Sequence, residues 1–377
     1  MKKAILKKLA VTGLLLMSPW IAVAQESVSL QPDKMKEVMK NVANWQLTAT
    51  PGEGAKFKEH KPYHWTMGAL YVGMHAWSEI AEDPKYLNYL KTKCEANQWK
   101  LGPRMFHADD HLVGELYLNL YAKEKNPETI TALKNQFDAI LANHPQTELK
   151  WNTKNHLDRW SWCDALFMSP PVWAKLTVAT GDRKYADYMD REWWAATEFL
   201  FDKEKHLYYR DSSFFTRKEA NGKKVFWARG NGWVFAGLPR VLEALPKDYP
   251  TRSKYESLFK EMATKIMSLQ QEDGFWRSGL LDPQSHTVKE TSGTGFFCYG
   301  LAWGIHHGYL DRARTLPHVM KAWEGMVGCV HPDGKLGNVQ PIGSGPDKVT
   351  PDMTEVYGVG AFLLAGTEIL KLGKHDE

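Results

Sequence analysis

Two kinds of helical segment alternate along this chain, and that alternation limits the fold more than any other feature. One kind is charged and amphipathic, over residues 33–45, 83–97, 127–144, 182–201, 251–271 and 311–328. The other is apolar, rich in Gly and Ala and almost free of charge, over 65–81, 111–122, 164–180, 231–245, 293–308 and 354–371. A helix that is apolar on every side must be buried on every side, whereas an amphipathic helix covers its neighbours with one stripe. Alternating Val/Ile/Thr runs, the mark of strands, are scarce. Six covered and six covering helices therefore predict six stacked helical hairpins. An open solenoid is one arrangement of them. A closed ring with the apolar helices inside is the other, and uneven hairpin lengths with elaborate loops favour it. The expected fold is all-α, an (α/α)6 barrel, in one domain over residues 25–377.

In such a ring all the inner helices run the same way, so their N-termini gather at one mouth. Aligned peptide dipoles place about half a positive charge at each N-terminus, and unpaired amides there hold anions. The segments before the inner helices are also the richest in polar and aromatic side chains. They include Tyr63-His64-Trp65, His107-Ala108-Asp109-Asp110-His111, Asp158 to Asp164, Trp227 to Trp233, Glu290-Thr291-Ser292-Gly293 and Asp352 to Glu355. Distant segments converging on one surface are what a pocket looks like in a sequence.

Within that surface, Asp164 directly precedes an apolar helix start. It reads either as a plain N-cap or as a carboxyl shielded by Trp160 and Trp162; a shielded carboxyl holds its proton and serves as a general acid. Asp109 and Asp110 stand before another inner helix, and one of the two is expected to be a cap. His107 and His111 have the spacing of a metal pair but lack a third-ligand motif, so capping or hydrogen bonding is the expected role. In Trp227-Ala228-Arg229-Gly230-Asn231-Gly232-Trp233 the glycines allow close backbone approach. Arg229 there suits a carboxylate, and Trp227 and Trp233 suit sugar rings.

Other classes fail on composition or motif. Residues 1–24 carry Lys2, Lys3, Lys7 and Lys8 and no acid; without those four, the 48 basic residues equal the 44 acidic ones. A neutral body argues against nucleic-acid binding. The same four lysines precede an apolar run, Leu9 to Ala22, and Ala22-Val23-Ala24 fits a cleavage site. Residues 1–24 are thus expected to be a signal peptide with Gln25 as the mature start, giving an exported protein, periplasmic or secreted. No later membrane span is expected. Cys94, Cys163, Cys298 and Cys329 show no metal-type spacing and are expected to be core thiols. Phosphate loops, dinucleotide fingerprints, GxSxG elbows and HExxH helices are missing.

With Trp162-Cys163-Asp164-Ala165-Leu166-Phe167-Met168 and the Trp227–Trp233 run in place, the chain resembles the unsaturated rhamnogalacturonyl hydrolases of glycoside hydrolase family 105, relatives of the family 88 unsaturated glucuronyl hydrolases. The resemblance spans nearly the whole mature chain and implies an (α/α)6 barrel. It implies Asp164 as proton donor, Asp109 as second carboxylate with Asp110 close behind, and a sugar pocket of Trp162, Met168, Trp227, Arg229 and Trp233. Where the family has a histidine after paired aromatics, Tyr208-Tyr209 is followed by Arg210, which is taken as a substrate contact. The histidine upstream of the donor is also displaced, His156 being the nearest. The implied reaction protonates C4 of a terminal 4,5-unsaturated uronic acid and adds water at C5, with no metal or organic cofactor. The implied substrate is an oligosaccharide left by a polysaccharide lyase, of rhamnogalacturonan type by default. An ordinary inverting glycosidase, a sugar epimerase and a non-catalytic carbohydrate-binding protein are the alternatives.

Overall fold

Charge content sorts the helices into two rings, as their sequences require. The computed structural model describes residues 31–48, 60–152 and 157–373; the proposed signal peptide with its Gln25 start, and His156, lie outside them. Thirteen α-helices follow one another among the described residues. They are α1 (Pro32–Thr48), α2 (Trp65–Ser78), α3 (Pro84–Ala96), α4 (Gly114–Glu124), α5 (Glu128–Ala142), α6 (Ala165–Met168), α7 (Pro170–Thr180), α8 (Lys184–Leu200), α9 (Ala228–Ala244), α10 (Arg252–Met267), α11 (Thr291–His306), α12 (Arg312–Val327) and α13 (Val356–Gly373). The inner helices are α2, α4, α6 with α7, α9, α11 and α13. Every residue of α11 from Thr291 to Ile305 is buried. The outer helices bury one stripe each; α8, for example, buries Tyr185, Tyr188, Met189, Glu192, Trp193 and Ala196.

Contacts run α2 to α4, α4 to α7, α7 to α9, α9 to α11, α11 to α13 and α13 back to α2. The ring is therefore closed, and the fold is an (α/α)6 barrel rather than an open solenoid. Closure depends on two glycines where the last inner helix meets the first. A Cβ on Gly73 would lie 1.9 Å from the Gly360 carbonyl oxygen, and one on Gly360 would lie 2.2 Å from that of Ala69. Only residues without a side chain let the two backbones come this close. Helix α13 is long and apolar enough to cross a membrane by composition, but 89% of it is buried in the barrel.

Some boundaries depart from the sequence pattern. The second inner helix is preceded by a 3-10 turn, Ala108–His111, and begins at Gly114. The third breaks at Ser169, ahead of Pro170 and Pro171, which cannot donate backbone hydrogen bonds. The fourth begins at Ala228, so the Trp227–Trp233 run forms its first two turns and is not a loop. Its glycines serve packing: a Cβ on Gly230 would lie 3.0 Å from the Trp227 ring and 3.1 Å from the Cys163 sulfur. Asp83 caps α3 through the Lys85 amide, and Asp182 accepts the Lys184 amide just ahead of α8.

The inner N-termini meet on the barrel axis. Trp65 of α2, Phe167 of α6, Trp233 of α9, Phe296 of α11 and Tyr357 of α13 form one chain of ring contacts, with centroids 4.3–6.2 Å apart. This aromatic plug separates the mouth from the opposite end of the barrel.

Candidate active site

Two neighbouring aspartates on the 3-10 turn have different fates. Asp110 is held by Arg104, whose backbone amide donates to Oδ2 at 2.8 Å and whose Nη2 donates to Oδ1 at 2.5 Å. Its own carbonyl accepts from Gly102. The sequence also offers Asp110 as a substrate contact, but here it ties the turn to the preceding loop, with Arg104 on both its oxygens. Asp109 keeps only a loose approach to His107, 3.9 Å from Nδ1. Burial pushes the Asp109 carboxyl up to about 7; Arg104 opposes the rise, and the charges of Asp164 and Asp110 add to it.

His107 and His111 are engaged and do not form a metal pair. His107 Nδ1 accepts the Asp109 amide, and its ring packs against Trp162. His111 uses both ring nitrogens, on Ser169 Oγ at 2.7 Å and the Met105 carbonyl at 2.8 Å. Burial lowers both, to about 3 and about 4, so they are neutral.

Asp164 stands at the start of α6, yet its side chain makes no capping hydrogen bond. Its backbone is already helical, with φ −59° and ψ −31°, whereas a capping residue usually sits in the extended region. The capping explanation therefore fails. The residue is 8% exposed. Its Oδ2 receives the Cys163 thiol at 3.5 Å and lies 3.7 Å from Arg210 Nε. Burial raises the Asp164 carboxyl, while Arg210 and then Arg229 pull against it. Cys163 is fully buried with its thiol pushed well up, so it is no nucleophile. All four cysteines are free thiols.

A hairpin explains how Arg210 reaches Asp164. Strands β1 (Phe201–Asp202) and β2 (Leu207–Tyr208) pair antiparallel and turn the chain back. The next residues then run along the donor segment: Cys163 N donates to the Arg210 carbonyl, and Trp162 bridges Asp211. The Arg210 guanidinium lies 4.1 Å over the Trp151 ring, and its Nη1 donates to Asp211 at 2.7 Å. Its Nε is buried without a hydrogen-bond partner.

Arg229 sits differently. It is 1% exposed. Nη1 donates to the Gln340 carbonyl at 2.7 Å and Nη2 to the Pro341 carbonyl at 2.8 Å. Its cation lies between the rings of Trp227 and Tyr357. Trp227 Nε1 donates to Gln340 Oε1, so this cluster clamps the 340–341 segment over α9 and α13. Trp233 belongs to the aromatic plug, and Met168 is buried at the end of α6. Trp162 lies between His107 and Trp151. Trp160 turns instead to Tyr188 on α8.

Beside this layer opens a cleft of about 530 Å³, lined in part by Arg104, His107, Trp151, Leu157 and Asp158. Arg104, Trp151 and Gln340 escaped the sequence reading. Only Trp151 carried a signal there, as a large aromatic in the polar stretch from Glu148 to His156.

The family model described as Glycosyl Hydrolase Family 88 matches residues 38–373. An unsaturated 3S-rhamnoglycuronyl hydrolase from Alteromonas sp. (strain LOR) is 38% identical over 352 residues, covering 89% of this chain and 85% of that protein. One of the same name from Formosa agariphila is 40% identical over 323 residues, covering 82% and 85%. Among solved structures, one named a polysaccharide lyase superposes with a TM-score of 0.81 at 31% identity, covering 92% of this chain and 99% of its own.

Proposed function

We propose, from the premise that this chain belongs to Glycosyl Hydrolase Family 88, that it removes a 4,5-unsaturated uronic acid from the non-reducing end of lyase-generated oligosaccharides, with rhamnose as the next sugar. The observation that carries this reading is Asp164: a buried carboxyl at the mouth, free of capping duty and flanked by cationic side chains. The names of the two relatives support rhamnose as the neighbour.

Asp164 gives its proton to C4 of the enol ether, and positive charge develops at C5 and the ring oxygen. Water adds at C5 and loses its proton to Asp164 or Asp109. The hemiketal so formed opens at the bond between C5 and the ring oxygen, leaving a ketone at C5. The freed C1 hemiacetal expels the neighbouring sugar with its hydroxyl restored. The anomeric carbon is never attacked, so the separation rule for paired carboxylates in ordinary glycosidases does not govern this site. The inner-helix N-termini and the nearby arginines favour an anionic sugar there.

The ultraviolet absorbance of the conjugated alkene tests the reaction. It should fall as sugar is released, and a saturated analogue should stay intact. Cleavage of the saturated form at a comparable rate replaces this reading with an inverting glycosidase. The structural relative named a lyase raises a second reading with the opposite sign: a lyase creates the alkene, so absorbance on an intact polysaccharide would rise. We further propose export to the periplasm or medium, on the strength of the basic and apolar pattern of residues 1–24. N-terminal sequencing of the exported protein should begin at Gln25, and a retained Met1 contradicts it.

A further inference from the structure

The mouth holds two arginines that can meet a carboxylate, and their surroundings differ. Both terminal nitrogens of Arg229 already donate to backbone carbonyls 111 and 112 residues away in sequence, and the side chain is packed between two rings. Freeing it would loosen the 340–341 segment, leaving the half-buried Pro341 carbonyl without its donor and the Gln340 carbonyl with only the Tyr357 hydroxyl, a cost that a binding site must recover from the ligand. Arg210 spends one terminal nitrogen on Asp211 and rests flat on Trp151. Its buried Nε has no hydrogen-bond partner, which is also true of Arg229 Nε, but in Arg210, unlike Arg229, the adjacent terminal nitrogen Nη2 makes no hydrogen bond among the described residues either. The Nε edge of a guanidinium, with the adjacent terminal nitrogen, is the fork that takes a carboxylate in two parallel bonds. The ring beneath and Asp211 beside it hold that fork in place before any ligand arrives.

We propose that Arg210, rather than Arg229, receives the carboxylate of the unsaturated uronic acid and is the specificity-determining residue of this site. The inference rests on the substrate class proposed above. It gives the 3.7 Å approach of Arg210 Nε to Asp164 Oδ2 a purpose. The charged groups facing Asp164 are Arg210 and Arg229, beside the neutral Cys163 thiol that donates to it, with Asp109 close enough for Asp164 to raise it. When the substrate carboxylate neutralises Arg210, the strongest opposition to protonating Asp164 is removed. Substrate binding and loading of the donor then become one event, and a neutral sugar in the same pocket fails to load it.

The test pairs an enzyme change with a substrate change. Unsaturated oligosaccharides are prepared with the uronate free and as its methyl ester, and kcat/KM is measured for wild type, Arg210→Gln, Arg210→Lys and Arg229→Lys. Wild type should prefer the free acid by about tenfold to a hundredfold, the range of one charge-assisted hydrogen-bonding site. In Arg210→Gln that preference should fall to near unity, while Arg210→Lys should keep part of it and Arg229→Lys most of it. Full preference in a folded Arg210→Gln overturns the proposal, as does its collapse in Arg229→Lys alone. Binding of saturated glucuronate, read by calorimetry, needs no turnover. If wild type cleaves neither oligosaccharide, the substrate class has failed. Glucuronate binding lost in Arg210→Gln still sustains the role of Arg210, and equal binding by both proteins refutes it.

Discussion

At one end of the barrel Glu115 lies buried between Arg240 and Lys175; at the other Asp164 lies buried with no cation hydrogen-bonded to it among the described residues, Arg210 Nε standing 3.7 Å away. Both are carboxyls on inner-helix segments, and both are almost without water. Burial alone would raise each. At the far end, below the aromatic plug, Arg240 and Lys175 overcome that and hold Glu115 at about 2. Arg240 also lies 3.9 Å over the Phe167 ring, which joins the charged layer to the plug. Arg240 comes from the C-terminal half of α9, while Glu115 stands in the first turn of α4. At the mouth no such pairing exists, and Asp109 and Asp164 remain raised. The difference separates a charge that holds the barrel together from charges kept ready for chemistry. A buried charge is costly unless it is closely paired, so leaving two carboxyls without a hydrogen-bonded cation marks a site.

Exchanging the proton donor gives the largest contrast. Asp164→Asn keeps the shape but has no transferable proton, so kcat should fall by about a thousandfold while sugar binding persists. Glu115→Gln should leave kcat within a few-fold, measured below its unfolding temperature. An active Asp164→Asn enzyme would erase the functional half of the comparison.

Stability should respond the other way round. Glu115→Gln strands Arg240 and Lys175, and should cost about 3–5 kcal/mol in denaturant unfolding. Asp164→Asn should not destabilise, because it removes a buried acid whose desolvation outweighs its loose approach to Arg210. Equal losses at both ends would show that the mouth is merely structural.

The two ends should also carry opposite pH signatures. Glu115 titrates below its ordinary value when folded, so its stabilisation is complete above about pH 4.5 and is lost as pH falls toward 2. Asp109 titrates above its ordinary value. The folded state then binds more protons than the unfolded chain between about pH 4 and 7, so stability drains away as pH rises through that window. Asp109→Asn should therefore gain up to about 4 kcal/mol over wild type at pH 8 and nothing at pH 3.5. Unfolding curves at the two pH values check this, and a gain of equal size at both would remove the raised carboxyl.

The smallest effect belongs to the neighbour. Asp110→Asn weakens the Arg104 tie and should cost about 1–2 kcal/mol of stability, with kcat changed only a few-fold. A loss of activity like that of Asp164→Asn would return Asp110 to the site.

Much of this was decided by local pattern. A helix without charge, such as α11 or α13, has no way to face water, and six of them alternating with amphipathic helices leave little but a two-layered ring. The motif from Trp162 to Met168 and the Asp109-Asp110 pair pointed to the mouth, because their place before inner helices is a property of chain order alone. What chain order could not decide was which member of each pair is spoken for. Asp110 is taken by Arg104 and Asp109 is not, although they are adjacent. Both terminal nitrogens of Arg229 are taken by carbonyls more than a hundred residues away, while Arg210, in the plainer sequence, spends only one of its own. Helix type follows from periodicity within a dozen residues. The state of a buried charge follows from who else is within about 4 Å, and at the mouth of this barrel those neighbours come from separate hairpins that only folding brings together.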